Sequence, residues 1–377
     1  MSSKIRIGVI FGGRSGEHEV SIRSARAVIE QIDRDKYEIV PMAIGTNGRW
    51  FSPADSARMF PATTQKLLRA DLANQTSAVA LIGNPSYQGL TLMDTIERDL
   101  SSQSLDVVFP VLHGTYGEDG TIQGLFEMAN IPYIGCGVLA SSCGMDKVTM
   151  KALFGQANLP MCKYTWFLRS EFERETERLL ELIKNGLGFP VFVKPANLGS
   201  SVGVSRATDG ASLRAAVDLA ARYDRKIIVE EGLDAREIEV AVIGNDSPQA
   251  SLPGEYLIHD ETAKFLDYEE KYKSTGHNEF TVPAPLPQDL TERIRALAKI
   301  AFKAIDGSGL ARVDFFLRRD TGELLINEIN TLPGLTEVSG FPKMWAATDK
   351  PFDVVIDELV TLAIERHTDK ARNQTSL

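Results

Sequence analysis

The feature that most constrains the fold is an alternation of short apolar runs, glycines and helical patterns near the start of the chain. Residues 4–11 alternate branched apolar side chains and end at Gly12 and Gly13, and helical spacing of apolar residues follows over 17–32. Similar apolar runs predict three more strands, at 37–44, 106–111 and 131–134. Because strands that alternate with helices build parallel sheets, we predict an α/β fold.

The length and charge of the chain exclude several classes of protein. A chain of 377 residues exceeds one typical core, so two or three domains are expected. The 41 lysines and arginines against 51 aspartates and glutamates give a net charge of −10. This sign disfavours non-specific binding to nucleic acid or to an anionic membrane, so neither is expected as a partner.

Cysteine usage and hydropathy predict a cytoplasmic protein. The three cysteines include no CxxC pair and no Cys/His metal spacing, so we expect reduced thiols. The chain also has no apolar run near the roughly 20 residues that a membrane helix needs.

After Gly144 the pattern changes from parallel α/β units to longer helices and further strands. Helical spacing predicts helices at 147–157, 171–185, 288–305 and 352–365, and apolar runs predict strands at 163–167, 190–194 and 227–230. We therefore predict three domains, 1–135, 136–233 and 234–377, with 45–104 unassigned.

A predicted hairpin, 309–317 and 323–330, carries polar side chains on an otherwise apolar pattern. Strand alternation places Arg312 and Asp314 on one face, and Glu328 and Asn330 on one face of the partner strand. Two carboxylates and an amide suit Mg²⁺. A solvated hairpin face with incidental charges is the alternative.

Two further segments suggest an anionic ligand. Residues 193–204 predict a strand that carries Lys194, a loop with Gly199 and Gly203, and a second strand. Small residues in the loop allow backbone amides to approach a phosphate, although a simple hairpin turn is equally compatible. Lys147 begins a predicted helix and is a second candidate cation, or simply a solvated lysine. The acidic edge at 228–240 suits adenine and ribose, or is plain surface.

Taken in order, these segments resemble the ATP-grasp fold, and the chain resembles the D-alanine–D-alanine ligases. The motifs are MDK, VKPA with GSSVG, EEGL with REIEV, RVDFFL and INEINTLPG, and the segments 12–21, 113–124 and 265–272 are similar to this family in particular. The resemblance covers 5–364 and implies an ATP-grasp fold, α/β or α+β overall, preceded by a Rossmann-like domain. It also implies that two D-alanines are joined through an acylphosphate at the expense of ATP, since phosphorylation turns a carboxylate oxygen into a leaving group.

The resemblance implies a nucleotide site and a metal site. The residues implied for the nucleotide are Lys147, Lys194 and Lys271 at the phosphates, and Glu230, Leu233, Glu237 and Phe265 at the adenine and ribose. Those implied for two Mg²⁺ ions, with Mn²⁺ as an alternative, are Asp314, Glu328 and Asn330.

For the first D-alanine, the resemblance implies four residues. Glu17 would accept its ammonium group, oriented by Ser200 and Tyr272, and His113 would lie near its carboxylate. Each has a simpler explanation: an acid at a helix N-terminus for Glu17, a turn residue for His113, a solvated loop residue for Ser200, and a half-buried aromatic for Tyr272. Their joint occurrence in the family order favours the functional interpretation.

For the second D-alanine, the resemblance implies that Ser339 binds its carboxylate. Arg312 and the Gly334 amide would stabilise the tetrahedral oxyanion. Residues 260–283 predict a mobile lid, and Tyr272 within it favours an amine acceptor over a hydroxyl. D-lactate and D-serine remain alternative acceptors, and the family resemblance implies a homodimer.

Two other classes compete less well. A nicotinamide dehydrogenase is suggested by the opening strand, glycine turn and helix, but residues 12–16 do not spell GxGxxG. A two-lobed amino-acid-binding protein would be expected to carry an export signal, and it has no need of Asp314, Glu328 and Asn330.

Overall fold

The computed structural model describes residues 4–68, 79–81, 83, 85, 90–92, 104–199, 202–258 and 278–374. The predicted residues Ser200, Phe265, Lys271 and Tyr272 lie outside the described residues, as does the predicted lid up to residue 277. No helix in the described ranges is long and apolar enough to cross a membrane.

The N-terminal region is a parallel sheet with flanking helices. Its elements are β1 (Ile5–Gly12), α1 (His18–Gln31), β2 (Tyr37–Ile44), α2 (Pro53–Ala57), α3 (Ala62–Gln65), β3 (Val79–Leu81), β4 (Leu90–Leu92), β5 (Val107–Val111) and α4 (Thr121–Ala129). The sheet order is β2-β1-β5, and β3 pairs with β4 separately. At the end of β1, Gly12 has a φ of +89°, and a side chain there would lie 2.3 Å from the Ile44 carbonyl oxygen, so the turn into α1 requires glycine.

The predicted strand at 131–134 is wrong. This segment forms a single parallel bridge between Val108 and Tyr133, flanked by hydrogen bonds from Val108 N to Pro132 O and from Ile134 N to Val108 O, both 2.8 Å. Because Pro132 has no N–H and Gly135 has a φ of +102°, the segment cannot continue as a strand.

The central region is an antiparallel sheet with two pairs of helices. Its elements are α5 (Val138–Met145), α6 (Lys147–Gln156), β6 (Tyr164–Leu168), α7 (Arg169–Leu187), β7 (Val191–Pro195), β8 (Ser205–Ala207), α8 (Gly210–Ala220) and β9 (Lys226–Glu231). The order is β6-β9-β7-β8. The glycine-rich loop joins β7 to β8, and Asp146 caps α6 by accepting from the backbone N–H groups of Val148 and Thr149.

The C-terminal region is a larger antiparallel sheet. Its elements are β10 (Ala235–Gly244), β11 (Gln249–Ala250), β12 (Gly254–Ile258), β13 (Asn278–Thr281), α9 (Gln288–Ala304), β14 (Gly309–Arg318), β15 (Leu324–Asn330), α10 (Gly340–Ala346) and α11 (Phe352–Lys370). The order is β13-β12-β10-β14-β15, with β11 on β10. The described end of the predicted lid is therefore an edge strand, and not a loop.

Hydrophobic cores join these regions. One face of the C-terminal sheet packs on α5, α6 and α9, through Ala140, Phe154 and Phe302 among others. At its Leu310 end the opposite face shares a core with the N-terminal sheet, α10 and α11. The rest of that opposite face carries the polar side chains of Arg312, Asp314 and Glu239, followed along the sheet by Phe316 and Leu325. The three-domain division stays a prediction.

Candidate active site

A cleft of about 1050 Å³, a volume that includes open solvent at its mouth, lies where the N-terminal, central and C-terminal regions meet. Seven residues predicted from the sequence line it: Glu17, Lys147, Arg312, Glu328, Asn330, Gly334 and Ser339. Six other predicted residues lie outside this lining: His113, Lys194, Glu230, Leu233, Glu237 and Asp314. Leu233 and Glu237 are half-buried near the junction of β9 and β10.

Strand register places three carboxylates side by side on the polar face of the C-terminal sheet. Asp314 on β14 pairs with Glu239 on β10 and with Glu328 on β15, and Arg312 pairs with Asn330. The Arg312 Nε and Nη2 groups donate to Asp314 Oδ1 and Oδ2 at 2.7 and 2.6 Å, and Nε lies 3.4 Å from Glu239 Oε2. One guanidinium therefore faces two buried carboxylates. The prediction that Arg312 and Asp314 share a strand face is confirmed, and Glu239 is a further carboxylate on this face of the sheet.

A β-bulge in β15 makes this arrangement possible. The register shifts between Asp314 and Phe315, which leaves Asn327 as the extra residue. Because strand side chains alternate, the extra residue allows Ile326 and Ile329, three positions apart, to point into the same core. The predicted ligands on β15 are thereby turned to the cleft.

The turn after β15 brings Gly334 against Ser339. A side chain at position 334 would lie 2.8 Å from Ser339 Oγ. That hydroxyl accepts from Thr336 N at 3.2 Å and lies 2.7 Å from Thr336 Oγ1. Leu332 N donates to Asn330 Oδ1 at 3.1 Å, so the turn is fastened to the end of the strand.

His113 is buried behind the cleft wall. Its Nδ1 lies 3.2 Å from Leu332 O, and since a carbonyl oxygen only accepts, Nδ1 carries a hydrogen. Its Nε2 lies 2.9 Å from Ser24 Oγ on α1. Burial lowers the pKa of His113, but the Glu118 carboxylate, 3.7 Å from Nδ1, outweighs this and raises it. His113 thus connects α1 to the turn that carries Gly334, and its predicted place near a substrate carboxylate stays a prediction.

An acidic corner lies at the start of α1. Glu17 directly precedes the helix and is 9% exposed, and Glu118, to which sequence analysis assigned no role, is 8% exposed. Oxygens of these carboxylates lie 3.7 and 4.0 Å from the position that a Cβ on Gly199 would take. Two carboxylates facing a glycine loop can receive an ammonium group.

Two predicted lysines supply positive charge near the cleft: Lys147 lines it, and Lys194 lies behind that lining. Lys147 Nζ donates to Leu198 O at 2.7 Å and lies 3.8 Å from Glu328 Oε2, and its side chain is 13% exposed, so it is more than a solvated lysine. Lys194 Nζ lies 2.6 Å from Glu230 Oε2. Burial lowers the pKa of Lys194, but Glu230 and Glu328 outweigh this and raise it. Burial raises the pKa of Glu230, but Lys151 and Lys194 outweigh this and lower it below its ordinary value. Both groups of this pair are therefore charged.

Sequence analysis missed three buried charged residues that contact predicted ones: Glu118, which lies beside His113, and also Lys151 and Glu239. Lys151 lies one helical turn after Lys147, with Nζ 2.8 Å from Glu230 Oε1. Glu239 lies two positions after Glu237, hence on the same strand face, and is 3% exposed. The helical spacing of Lys151 from Lys147 and the strand spacing of Glu239 from Glu237 place each pair on one face, but neither spacing indicates that the side chain is buried.

The donor set on the hairpin suits a cation that is shared with a phosphate. Within the described ranges, no group of three His, Cys, Asp or Glu side chains is arranged to hold a metal by itself. Asp314 and Glu328 are direct cross-strand neighbours, and Asn330 is two positions along the strand. Mg²⁺ is commonly held by one or two carboxylates with phosphates and waters as its other ligands, and these residues fit that pattern.

The chain matches known proteins along its whole length. The D-ala D-ala ligase N-terminus family model matches residues 6–136, and the D-ala D-ala ligase C-terminus model matches residues 153–361. A D-alanine–D-alanine ligase of Heliobacterium modesticaldum is 47% identical over 372 residues, which cover 99% of this chain and 98% of the relative. The D-alanine-D-alanine ligase structure from Coxiella burnetii superimposes with a TM-score of 0.80 at 33% identity over 98% of each chain. The VanG D-Ala:D-Ser ligase from Enterococcus faecalis superimposes with a TM-score of 0.81 at 34% identity, over 96% of this chain and 100% of the other. The chain therefore belongs to the D-alanine–D-alanine ligase family, whose members are ATP-dependent ligases with an ATP-grasp fold.

Proposed function

We propose that this chain joins two D-alanine molecules into D-alanyl-D-alanine through a D-alanyl phosphate, releasing ADP and phosphate, as a step in peptidoglycan precursor synthesis. The observation that carries the proposal is the composition of one cleft: an acidic corner at Glu17, a cation at Lys147, and Arg312 beside the Gly334 turn. Such a reaction needs an ammonium site, a phosphate site and an oxyanion site within reach of one another.

The first D-alanine would bind through its ammonium group at Glu17, with Ser200 and Tyr272 orienting that carboxylate. His113 supports this site by holding the Leu332 carbonyl, and with it the Gly334 turn. Fixing the ammonium group points the substrate carboxylate towards the γ-phosphate, so that one of its oxygens attacks phosphorus.

The second D-alanine would bind with its carboxylate at Ser339, so that its amine faces the activated carbonyl. The Arg312 guanidinium and the Gly334 N–H would donate to the oxygen that gains negative charge when the amine attacks. Donors held in place before the reaction stabilise that charge without reorganisation, and Asp314 and Glu239 hold the guanidinium in this way.

The nucleotide would bind between the central and C-terminal sheets. Its phosphates would contact Lys147 and Lys194, with Lys271 reaching the γ-phosphate from the lid. The residues proposed for adenine and ribose are Glu230, Leu233, Glu237 and Phe265. Asp314, Glu328 and Asn330 would hold two Mg²⁺ ions, for which Mn²⁺ is an alternative, and such ions neutralise phosphate charge when bound.

A second candidate function is ligation of D-alanine to D-serine. The specific observation that favours it is the structural likeness to a D-Ala:D-Ser ligase. D-lactate is a third acceptor to test, and the intact sequence Asp-Tyr-Glu-Glu-Lys-Tyr at 267–272 favours an amine over it.

We further propose a cytoplasmic homodimer. The three cysteines are free thiols, in keeping with a reducing compartment. Met128 on α4 and Leu139 on α5 are 66% and 60% exposed, and apolar side chains of this kind support a contact with a second copy near the N-terminal region. Sedimentation at several protein concentrations, with Met128→Glu as the variant, tests this proposal.

The central test is phosphate release by the purified protein with Mg²⁺ and ATP, with products separated by mass. D-alanine is compared with L-alanine, with D-alanine plus D-serine, and with D-alanine plus D-lactate. We expect release that depends on D-alanine and a dipeptide of matching mass. A D-alanyl-D-serine product in preference would establish the second candidate, and no turnover with any D-amino acid would refute the proposed substrates.

The variant Glu17→Gln tests the ammonium site. We expect the KM for D-alanine to rise about 10–100-fold, because the carboxylate of a charge-assisted hydrogen bond is lost. Glu19→Gln is the matched control, since Glu19 is exposed on the same helix. Equal kinetics for the two variants would remove Glu17 from the site.

A further inference from the structure

A buried cluster of two lysines and one glutamate lies beneath the cleft. The Glu230 carboxylate is shared: Oε1 lies 2.8 Å from Lys151 Nζ, and Oε2 lies 2.6 Å from Lys194 Nζ. The side chains of Lys151 and Glu230 are 1% and 4% exposed, whereas that of Lys194 is 14% exposed. Lys194 is thus the member of the cluster that solvent or a ligand can reach.

Among the described residues, nothing within ion-pair distance balances the positive charge of this cluster. Two ammonium groups and one carboxylate give a net charge of +1, and no other described carboxylate lies within ion-pair distance of either lysine. Cys162 Sγ, 3.8 Å from Lys151 Nζ, does not compensate, because burial raises the pKa of this thiol to about 11. Glu328 also acts on Lys194, but it is shared with Lys147, so these three lysines and two carboxylates together still carry a net charge of +1. A buried net charge is costly unless a counter-ion completes it.

The position of Lys151 excludes direct contact with a ligand in the cleft. Its Nζ is enclosed by Glu230, by the carbonyl oxygen of Asn327 at 3.4 Å and by the Tyr164 ring at 5.6 Å from the centroid. Whatever it contributes to binding must therefore act through Glu230 and the bulge that precedes Glu328.

We propose that Lys151 is a positioning residue for the nucleotide phosphates: by neutralising Glu230 from behind, it leaves the charge of Lys194 available to an anion in the cleft. This inference rests on the ATP-dependent function proposed above. Without Lys151, Glu230 and Lys194 form a neutral pair, and the contribution of Lys194 to the attraction for a phosphate is lost, while that of Lys147 remains. Lys151 also donates from α6 to the Asn327 carbonyl oxygen at the bulge, so the same side chain contacts both the phosphate site and the strand that carries Glu328.

The test measures Kd for ATP and for adenosine by calorimetry at a fixed Mg²⁺ concentration, without D-alanine. The ratio of the adenosine Kd to the ATP Kd reports what the phosphates contribute, and any contact of Glu230 with adenine cancels from it. For Lys151→Met we expect this ratio to fall about 10–100-fold, the effect of one unit charge several ångströms away at an effective dielectric near 20.

The double variant Lys151→Met with Glu230→Gln restores a net charge of +1, so its ratio should return to within about fivefold of the wild type. Lys350→Met is the matched control, since Lys350 also pairs with a carboxylate, that of Glu358, away from the cleft. Its ratio should equal that of the wild type. Thermal unfolding of each variant shows whether it is folded, and Glu230→Gln alone, which keeps Lys151 and raises the cluster charge, should not lower the ratio.

Three results would overturn the inference while leaving the proposed function intact: an unchanged ratio in Lys151→Met, an equal loss of ATP and adenosine binding, or no recovery in the double variant. If the wild type binds adenosine and ATP equally, the ATP-dependent function itself fails, and the inference fails with it.

Discussion

Replacing Arg312 with methionine should both destabilise the C-terminal sheet and slow the ligation, because this guanidinium serves two buried carboxylates. It makes hydrogen bonds of 2.7 and 2.6 Å to Asp314 and lies 3.4 Å from Glu239. The side chains of Arg312, Asp314 and Glu239 are 15%, 10% and 5% exposed. Removing one partner of a buried ion pair costs about 3–5 kcal/mol, and the partial exposure favours about 3 kcal/mol.

That free energy corresponds to a fall of about 6–12 °C in the unfolding midpoint for a unit of 150–250 residues. Loss of an oxyanion donor should in addition lower kcat by about 10²–10³-fold. Differential scanning fluorimetry and steady-state phosphate release measure the two effects on the same preparations.

The same strand offers a matched control. Arg318 and Asp320 are also two positions apart, at 3.3 and 3.4 Å, but Asp320 is 61% exposed. Solvent-exposed pairs contribute little to stability, so Arg318→Met should keep the wild-type midpoint and kcat. Equal midpoint shifts for the two methionine variants, or a kcat for Arg312→Met within tenfold of the wild type, would refute the reasoning.

Three smaller predictions concern caps, buried titrating groups and thiols. Asp146→Ala should lose about 2 kcal/mol at pH 7, because it removes the cap of α6 and the partner of Lys226. Burial raises the pKa of Asp146, but Lys226 and the cap outweigh this and lower it below its ordinary value. The stabilisation by Asp146 is therefore present above about pH 4 and is lost as the pH falls through the folded pKa. In urea unfolding, the difference in stability between the wild type and Asp146→Ala should be smaller near pH 3 than at pH 7. The pKa of His113 is raised in the folded protein by Glu118, so its contribution is full below about pH 6.5 and is lost as the pH rises through the folded pKa. The advantage of the wild type over His113→Gln in urea unfolding should therefore be larger at pH 6 than at pH 9. At pH 8 we expect a disulfide reagent to modify one thiol of the native protein, that of Cys143. The thiols of Cys136 and Cys162 should not react, because they are buried and burial raises the pKa of each to about 11.

Elements were predictable where local pattern and tertiary packing agree. The strands at 4–11 and 37–44 and the helix at 288–305 lie within a residue or two of the observed β1, β2 and α9. Where local and distant effects differ, the prediction failed. The helix predicted to end near 365 continues to Lys370 because its last turn contacts the N-terminal region: His367 lies 3.1 Å from Asn130, and Lys370 pairs with Glu127.

The candidate site was predictable in its residue types but not in its electrostatics. Alternation along one strand suffices to place Arg312 with Asp314, and this was confirmed. The burial of Lys151 depends on β9, some 80 positions later in the chain, and that of Glu239 on its pairing with β14. Pairings over such separations leave no local trace, which is why Lys151 and Glu239 were missed.

The bulge at Asn327 limits how the length of β15 can vary. Deleting one residue there would restore strict alternation, and either Ile329 would turn out of its core or Glu328 and Asn330 would turn into it. An insertion of one residue would have the same effect, whereas the exposed turn at 319–323 can absorb a change in length without altering any facing residue. Homologous chains should therefore align without gaps from position 324 to position 330, and an engineered variant can be lengthened at the tip of this hairpin but not at its base.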